Sequence, residues 1–167
     1  MPLHEVAGFV GNSLICRIKK DGIFFLPYQS GCRARLNSDQ TGIVTGTWTL
    51  LEIVDTSDYD AQGEFNNTTH RFTATEDGRY LVCVNARIGS LSDGNLIGVI
   101  VAKNGDYVGC HVIHAEGAAG NPLVAASDVI DLDATDYLEL YVRHDYGSNR
   151  TAPAEPYQNY MAVHKIA

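Results

Sequence analysis

Apolar residues recur in this chain at every second position within short runs, and glycine, asparagine and aspartate interrupt the runs every few residues. A period of two places alternate side chains on opposite faces of an extended strand. Over residues 80–86, Tyr80, Val82, Val84 and Ala86 share one face, while Leu81, Cys83 and Asn85 share the other. Both faces are apolar enough to be covered, which places this strand in the middle of a sandwich or at an interface. Leu138, Leu140 and Val142 alternate with Tyr137, Glu139, Tyr141 and Arg143, a second face suited to subunit contact or to solvent. Further strands are expected over 22–26, 32–36, 46–53, 70–74, 96–103, 107–116, 128–132 and 160–166, with the two described above extending over 79–87 and 137–144. Asn104-Gly105 is the strongest hairpin signal, because both residues tolerate the positive φ of a type I′ turn. The strands on either side of it should pair antiparallel. No segment sustains a 3.6-residue apolar period, so the expectation is an all-β sandwich without helices. Segments 89–95, 117–122 and 146–156 read as loops.

The length of 167 residues suits one domain. Apolar residues make up 45% and charged ones 19%, enough hydrophobic material for a core and too little charge for a disordered chain. A net charge of −8, with only 12 scattered Lys and Arg, argues against nucleic acid as a partner. Apolar runs such as 22–27 and 96–102 fall well short of the roughly 20 residues of a membrane helix, so no membrane partner is expected. The N-terminal residues lack the basic leader of a secretory signal. Cys16, Cys32, Cys83 and Cys110 form no CxxC pair, which disfavours a zinc ribbon or a dithiol redox site and favours free thiols.

The run Tyr59-Asp60-x-x-Gly63-Glu64-Phe65, followed by His70-Arg71-Phe72-Thr73-Ala74-x-x-Asp77-Gly78-Arg79-Tyr80, resembles the signature of the globular C1q domain family. Lys103-Asn104-Gly105 is similar to that family's hairpin. Val129-Ile130-Asp131-Leu132 with Asp136-Tyr137-Leu138-Glu139-Leu140 is similar to a later strand pair, and Tyr160-Met161-Ala162-Val163-His164 to its closing strand. The chain departs from the pattern at Thr75-Glu76, Thr135 and Ala162. The similarity covers about residues 32–167, which divides the chain into an N-terminal arm or added strands over 1–30 and a C1q-like domain over 31–167. The resemblance implies a ten-stranded jelly roll, shared with the tumour necrosis factor superfamily, that assembles as a homotrimer and has no enzymatic activity. Family members of microbial and phage type resemble head-decoration or tail-fibre modules, and with neither a collagen-like stalk nor a signal peptide in this chain, that setting is the one expected here.

Asp55, Asp58 and Asp60 cluster hard oxygen donors, so a calcium site is weighed there against Asx turns and a solvated acidic loop. Asp128, Asp131, Asp133 and Asp136 are weighed in the same way. His111 and His114 fall on opposite strand faces, which makes shared metal ligation awkward. His144-Asp145 lacks a nucleophile context, and 117–120 lacks the Lys-Ser/Thr of a phosphate loop. Asn66-Asn67-Thr68-Thr69 and Asn149-Arg150-Thr151 match glycosylation sequons. Trp48 is expected in the core or as a partner anchor. Tyr80, Tyr137, Tyr141 and Tyr160 are the residues expected at a trimer interface, tyrosine combining large apolar area with a polar handle.

Two functions follow. The first is a non-enzymatic structural protein of the virion surface, a trimeric capsid-decoration protein docked through its N-terminal segment onto a capsid or fibre protein. The alternative is an extracellular or tail-fibre recognition module that binds a cell-surface protein or glycan through loops 89–95 and 146–156. Neither requires a cofactor.

Overall fold

The computed structural model describes residues 6–10, 13–18, 21, 24–26, 28–116 and 120–167. Among them every regular element is a strand, as the period-two pattern predicts: β1 (Val6–Val10), β2 (Ser13–Ile18), β3 (Phe24–Phe25), β4 (Gly31–Arg35), β5 (Gln40–Ile43), β6 (Thr49–Leu50), β7 (Asp55–Asp60), β8 (Phe65–Asn66), β9 (Arg71–Thr73), β10 (Gly78–Arg87), β11 (Leu96–Lys103), β12 (Asp106–His114), β13 (Leu123–Leu132), β14 (Tyr137–His144), β15 (Arg150–Ala152) and β16 (Tyr160–Lys165). Two antiparallel sheets face each other. One runs β7-β4-β16-β10-β13 and the other β12-β11-β14-β9-β8, with the short β6 added beside β14. From β9 the chain crosses between the sheets into β10, back to the β11-β12 hairpin, over to β13, back to β14 and finally to β16, the crossing pattern of a jelly roll. β1, β2 and β3 form a separate three-stranded sheet, and β5 pairs β15 across one end.

The core is the set of inward positions of both sheets. Tyr80, Val82, Val84 and Ala86 of β10 meet Ile97, Val99 and Val101 of β11 and Leu138, Leu140 and Val142 of β14. Phe72 and Tyr80 pack edge to face with centroids 5.8 Å apart. The Asn104-Gly105 hairpin forms as the sequence predicts, with φ of 54° and 88°. Asn104 Oδ1 accepts the Tyr137 amide at 3.0 Å, and its amide nitrogen donates to Asp136 Oδ1 at 2.6 Å, so this turn is anchored to the start of β14.

Several expectations need correction. Residues 55–60, read as an acidic loop, form β7, because the irregular register beside β4 gives this polar segment arginine partners on its neighbour. The strand expected over 46–53 shrinks to β6; the side chain of Gln40 bonds the Leu50 carbonyl and the Glu52 amide in place of a ladder. β13 begins five residues earlier than expected, and β15 interrupts the segment read as a loop over 146–156. The expected strand 22–26 is seen as β3, residues 22 and 23 lying outside the described residues, as do 1–5 and 117–119 of the N-terminus and the expected glycine-rich loop.

Glu64 is 4% exposed and is surrounded by donors. Ser30 Oγ lies 2.7 and 2.9 Å from its two oxygens, the Gly31 amide donates at 2.8 Å, and the Thr75 amide and hydroxyl stand at 3.1 and 2.6 Å. A carboxylate can accept all of these, whereas an amide at the same place turns its own N–H groups toward two of them. Glu64→Gln is therefore expected to lower unfolding free energy by about 2 kcal/mol and Glu64→Ala by about 3 kcal/mol or more, read by denaturant unfolding.

Asp136 holds Lys103 Nζ at 2.8 Å, along with the Asn104 side chain and the Asp133 amide; these bonds, Lys103 first, hold its carboxyl down at about 2 from an ordinary value of 3.8. Because the folded value is the lower one, the stability it contributes is present in full above about pH 4 and is lost as pH falls toward 2. Asp136→Asn should cost about 1–2 kcal/mol at neutral pH, and the difference from the parent chain should close between about pH 4 and pH 2 in acid-unfolding curves.

Candidate functional site

The outward face of the β7-β4-β16-β10-β13 sheet follows from register. Residues paired across a ladder share a face, and Tyr80, Val82, Val84 and Ala86 point inward, so Leu81, Cys83, Asn85 and Arg87 point out. Leu81 lies between Val129 of β13 and His164 of β16, Cys83 between Ser127 and Ala162, and Asn85 between Ala125 and Tyr160. Arg33 of β4 extends the second row and Arg35 the third. Leu81 is 38% exposed, Leu123 45% and Val129 50%, so the apolar exposure lies at Leu81 and along β13, while Asn85 is covered and donates to the Tyr157 carbonyl at 2.9 Å. The middle of the face is made of small side chains, Cys83, Ala125, Ser127 and Ala162, which leave the sheet surface flat. Charges of both signs stand around it: Arg79 with Asp131, Arg33 with Asp58, and Arg35 with Asp55. An apolar centre within a charged rim is the anatomy of a protein contact surface.

The outward face of the other sheet also leaves apolar side chains exposed, Tyr107 at 53% and Val112 at 41%, but it is built around an aromatic cluster. Trp48 sits over Gly98, where a Cβ would come within 2.9 Å of the indole, so only glycine admits the ring. Tyr107 packs against Trp48 at 6.1 Å and against Tyr141 at 5.8 Å. Arg71 stacks 4.0 Å over Tyr137 and donates to the buried Glu139 at 2.9 Å, and the Tyr141 hydroxyl lies 3.2 Å from the same carboxylate. Burial, with Glu139 beside it, raises the Tyr141 phenol above its usual range.

The four tyrosines expected at one interface do not come together. Tyr80 is fully buried, its hydroxyl donating to the Glu76 carbonyl at 2.7 Å, so it has no surface to give to a partner. Tyr137 and Tyr141 lie on the outside of one sheet and Tyr160 on the outside of the other, where Arg33 stacks over its ring at 4.3 Å. Leu81, Leu123 and Val129 form the apolar surface in their place. The signal was present in the second face of residues 80–86, but aromatic residue type does not report which way a side chain points.

The three aspartates considered for calcium have other partners. Asp58 pairs with Arg33, and Asp55 with Arg35 at 3.0 Å. Hydrogen bonds from Ser57, with Arg35 nearby, hold the Asp55 carboxyl below its usual range. Asp60 stands opposite the core-facing Cys32 and accepts the Glu64 and Phe65 amides at 2.8 and 3.1 Å. Among the described residues, no three His, Cys, Asp or Glu side chains converge as a metal site. His111 and His114 do fall on opposite faces of β12. His144 is buried, its Nε2 3.0 Å from the Ile43 carbonyl and its Nδ1 accepting the Tyr146 amide, while Asp145 accepts the Leu96 amide; both are structural. Asn66 of the first sequon caps the Thr68 and Thr69 amides. The described cysteines are unpaired thiols, and burial, with Asp60 and Glu64 close by, pushes the Cys32 thiol up so that it stays protonated.

No family model matches the chain, and no curated protein matches it in sequence. A solved structure, Eiger TNF from S. frugiperda, superimposes with a TM-score of 0.63 at 14% identity, covering 83% of this chain and 93% of that one. At that identity the likeness concerns architecture, and the chain has a tumour-necrosis-factor-like jelly-roll fold.

Proposed function

We propose that this chain is a non-enzymatic structural protein that assembles as a homotrimer through the outward face of the β7-β4-β16-β10-β13 sheet, and that it decorates a virion surface. The observation that carries the assembly is the uncovered strip of Leu81, Leu123 and Val129 around small central residues, rimmed by arginines and aspartates. Leaving such a patch in water forfeits about 25 cal/mol per Å² of apolar area, and burying it against further copies recovers that free energy. The three-fold arrangement comes from the C1q-like resemblance, and the jelly-roll fold supports it. For docking onto a capsid or fibre protein, the support is the N-terminal sheet β1-β2-β3, which among the described residues shares no ladder with the sandwich and exposes Phe9 and Ile18. The Trp48-Tyr107-Tyr141 cluster on the opposite face favours a second reading, an extracellular recognition module with a cell-surface protein or glycan as partner. Neither reading uses a cofactor, and the pairing of Asp55 and Asp58 with arginines supports an assembly independent of calcium.

Light scattering is expected to give three times the chain mass, with and without a chelator. Leu81→Asp and Val129→Asp should each yield monomers with an unchanged far-UV spectrum, because both side chains point away from the core. A monomeric parent chain would overturn the assembly. Binding of the trimer to a glycan array or to intact cells, lost on Trp48→Ala, would replace decoration by recognition.

A further inference from the structure

A histidine stands beside the apolar centre of the outward face of the β7-β4-β16-β10-β13 sheet. Register pairs His164 of β16 with Leu81 on one side and Gly31 on the other, and Leu81 with Val129, so the four lie in one outward row. The imidazole is exposed, and Tyr59 of β7 meets it edge to face with centroids 6.3 Å apart. Among the described residues neither ring nitrogen has a hydrogen-bond or ion-pair partner. The charges around the ring are spent on one another. Arg33 of β4, one row away, bonds Asp58 of β7; Arg79 of β10, one row away on the other side, stands 3.4 Å from Asp131 of β13. Lys165, next on β16, has the opposite facing and holds Glu76 at 2.7 Å. The Cys83 thiol and the Tyr59 phenol are the remaining titratable groups on the neighbouring rows, and burial raises the Tyr59 phenol above its usual range.

We propose, on the reading that copies assemble through this face, that His164 makes the trimer sensitive to acid: the neutral ring packs into the subunit contact and the protonated ring opens it. A copy that covers Leu81 covers the ring beside it, because Gly31 on the far side supplies no side chain to hold a partner off. An imidazole takes up a proton near about pH 6.5. The neutral ring enters an apolar contact at little cost, whereas an imidazolium must shed water there with no unpaired carboxylate on its own copy to receive it. Free copies therefore bind protons that assembled copies do not. Assembly is at full strength above about pH 7 and weakens as pH falls through about 6.5. With one such ring in each of three copies, the trimer dissociation constant rises by up to about a thousandfold between about pH 7.5 and pH 5.5. Carboxylates titrate well below this window, so the charged rim is not what changes.

Sedimentation equilibrium of the full chain at about pH 7.5 and about pH 5.5 reads the dissociation constant on both sides of the imidazole range, with far-UV dichroism as the check on folding. The parent chain is expected to be a trimer at the upper pH and to dissociate, still folded, at the lower. His164→Gln is expected to have one dissociation constant at both pH values, whatever its size; His164→Phe takes its place if the glutamine variant does not assemble. His114→Gln, on the edge strand of the other sheet, should respond to acid as the parent does. A parent chain that is monomeric at the upper pH overturns the assembly and the acid response with it. A parent trimer equally tight at both pH values, dissociation that accompanies loss of the far-UV signal, or a His164 variant that dissociates in acid as the parent does overturns the acid response alone.

Discussion

The buried carboxylate of Glu64 is the point at which the two sheets are tied together. It immediately precedes β8 in one sheet; Ser30 immediately precedes β4 and Gly31 begins it in the other, and Thr75 lies on the crossing from β9 to β10. One side chain therefore bonds both layers and the link between them. Removing a carboxylate from water is costly unless its lone pairs are filled, and here they are filled by donors that have no other partner of equal strength. The Glu64 carbonyl also accepts the Thr73 amide, and the Asp60 carboxylate caps the amides of Glu64 and Phe65, so the corner is built from polar groups that fix one another. With this end held, Phe72 and Tyr80 meet in the core and β10 lies between the edge strand β13 and the central strand β16.

Much of this architecture was legible in the sequence, for a physical reason that also explains where legibility ended. Central strands are buried on the inward face and partly covered on the other, so β10, β11 and β14 carry apolar alternation strong enough to read directly. The Asn104-Gly105 turn was legible because so few residue pairs accept two positive φ values in succession. β7 and the first half of β13 were missed because both are edge strands with polar or small side chains. Ser57, Asp58, Ala125 and Ser127 carry no hydrophobic signal, and their strand conformation is imposed by the ladder to β4 or β10. In the segment 46–53, β propensity pointed to a strand, but the side chain of Gln40 satisfies the backbone there more locally than a neighbouring strand does.

The candidate surface was half legible. Alternation gave two faces to residues 80–86 but could not say which one pointed inward, since both were apolar. Tyr80 looked like an interface residue because it is large and has a polar end; in the fold that end is consumed by Ser30 and the Glu76 carbonyl, and the ring is core. Leu81, next to it, is the side chain that reaches the outward face. Register decides such cases: once Val82 is inward, Leu81, Val129 and His164 are outward together, whatever their chemistry.

The same rule gives meaning to polar residues found on the inward side. Asp128 and His111, read singly along the chain, are ordinary surface residues of an acidic protein. Register places each beside a core valine on a different sheet, with glycine and alanine as their inward neighbours two positions away. A single polar inward residue on an edge strand is readily accommodated by turning to solvent. Both do so here: Asp128 and His111 are exposed at the edge of the sandwich, and the valines behind them, Val82 and Val99, stay buried in the core. The strict alternation of β10 and β13 therefore keeps the exposed Leu81 and Val129 on one side of the sheet and the core residues Tyr80, Val82 and Ile130 on the other.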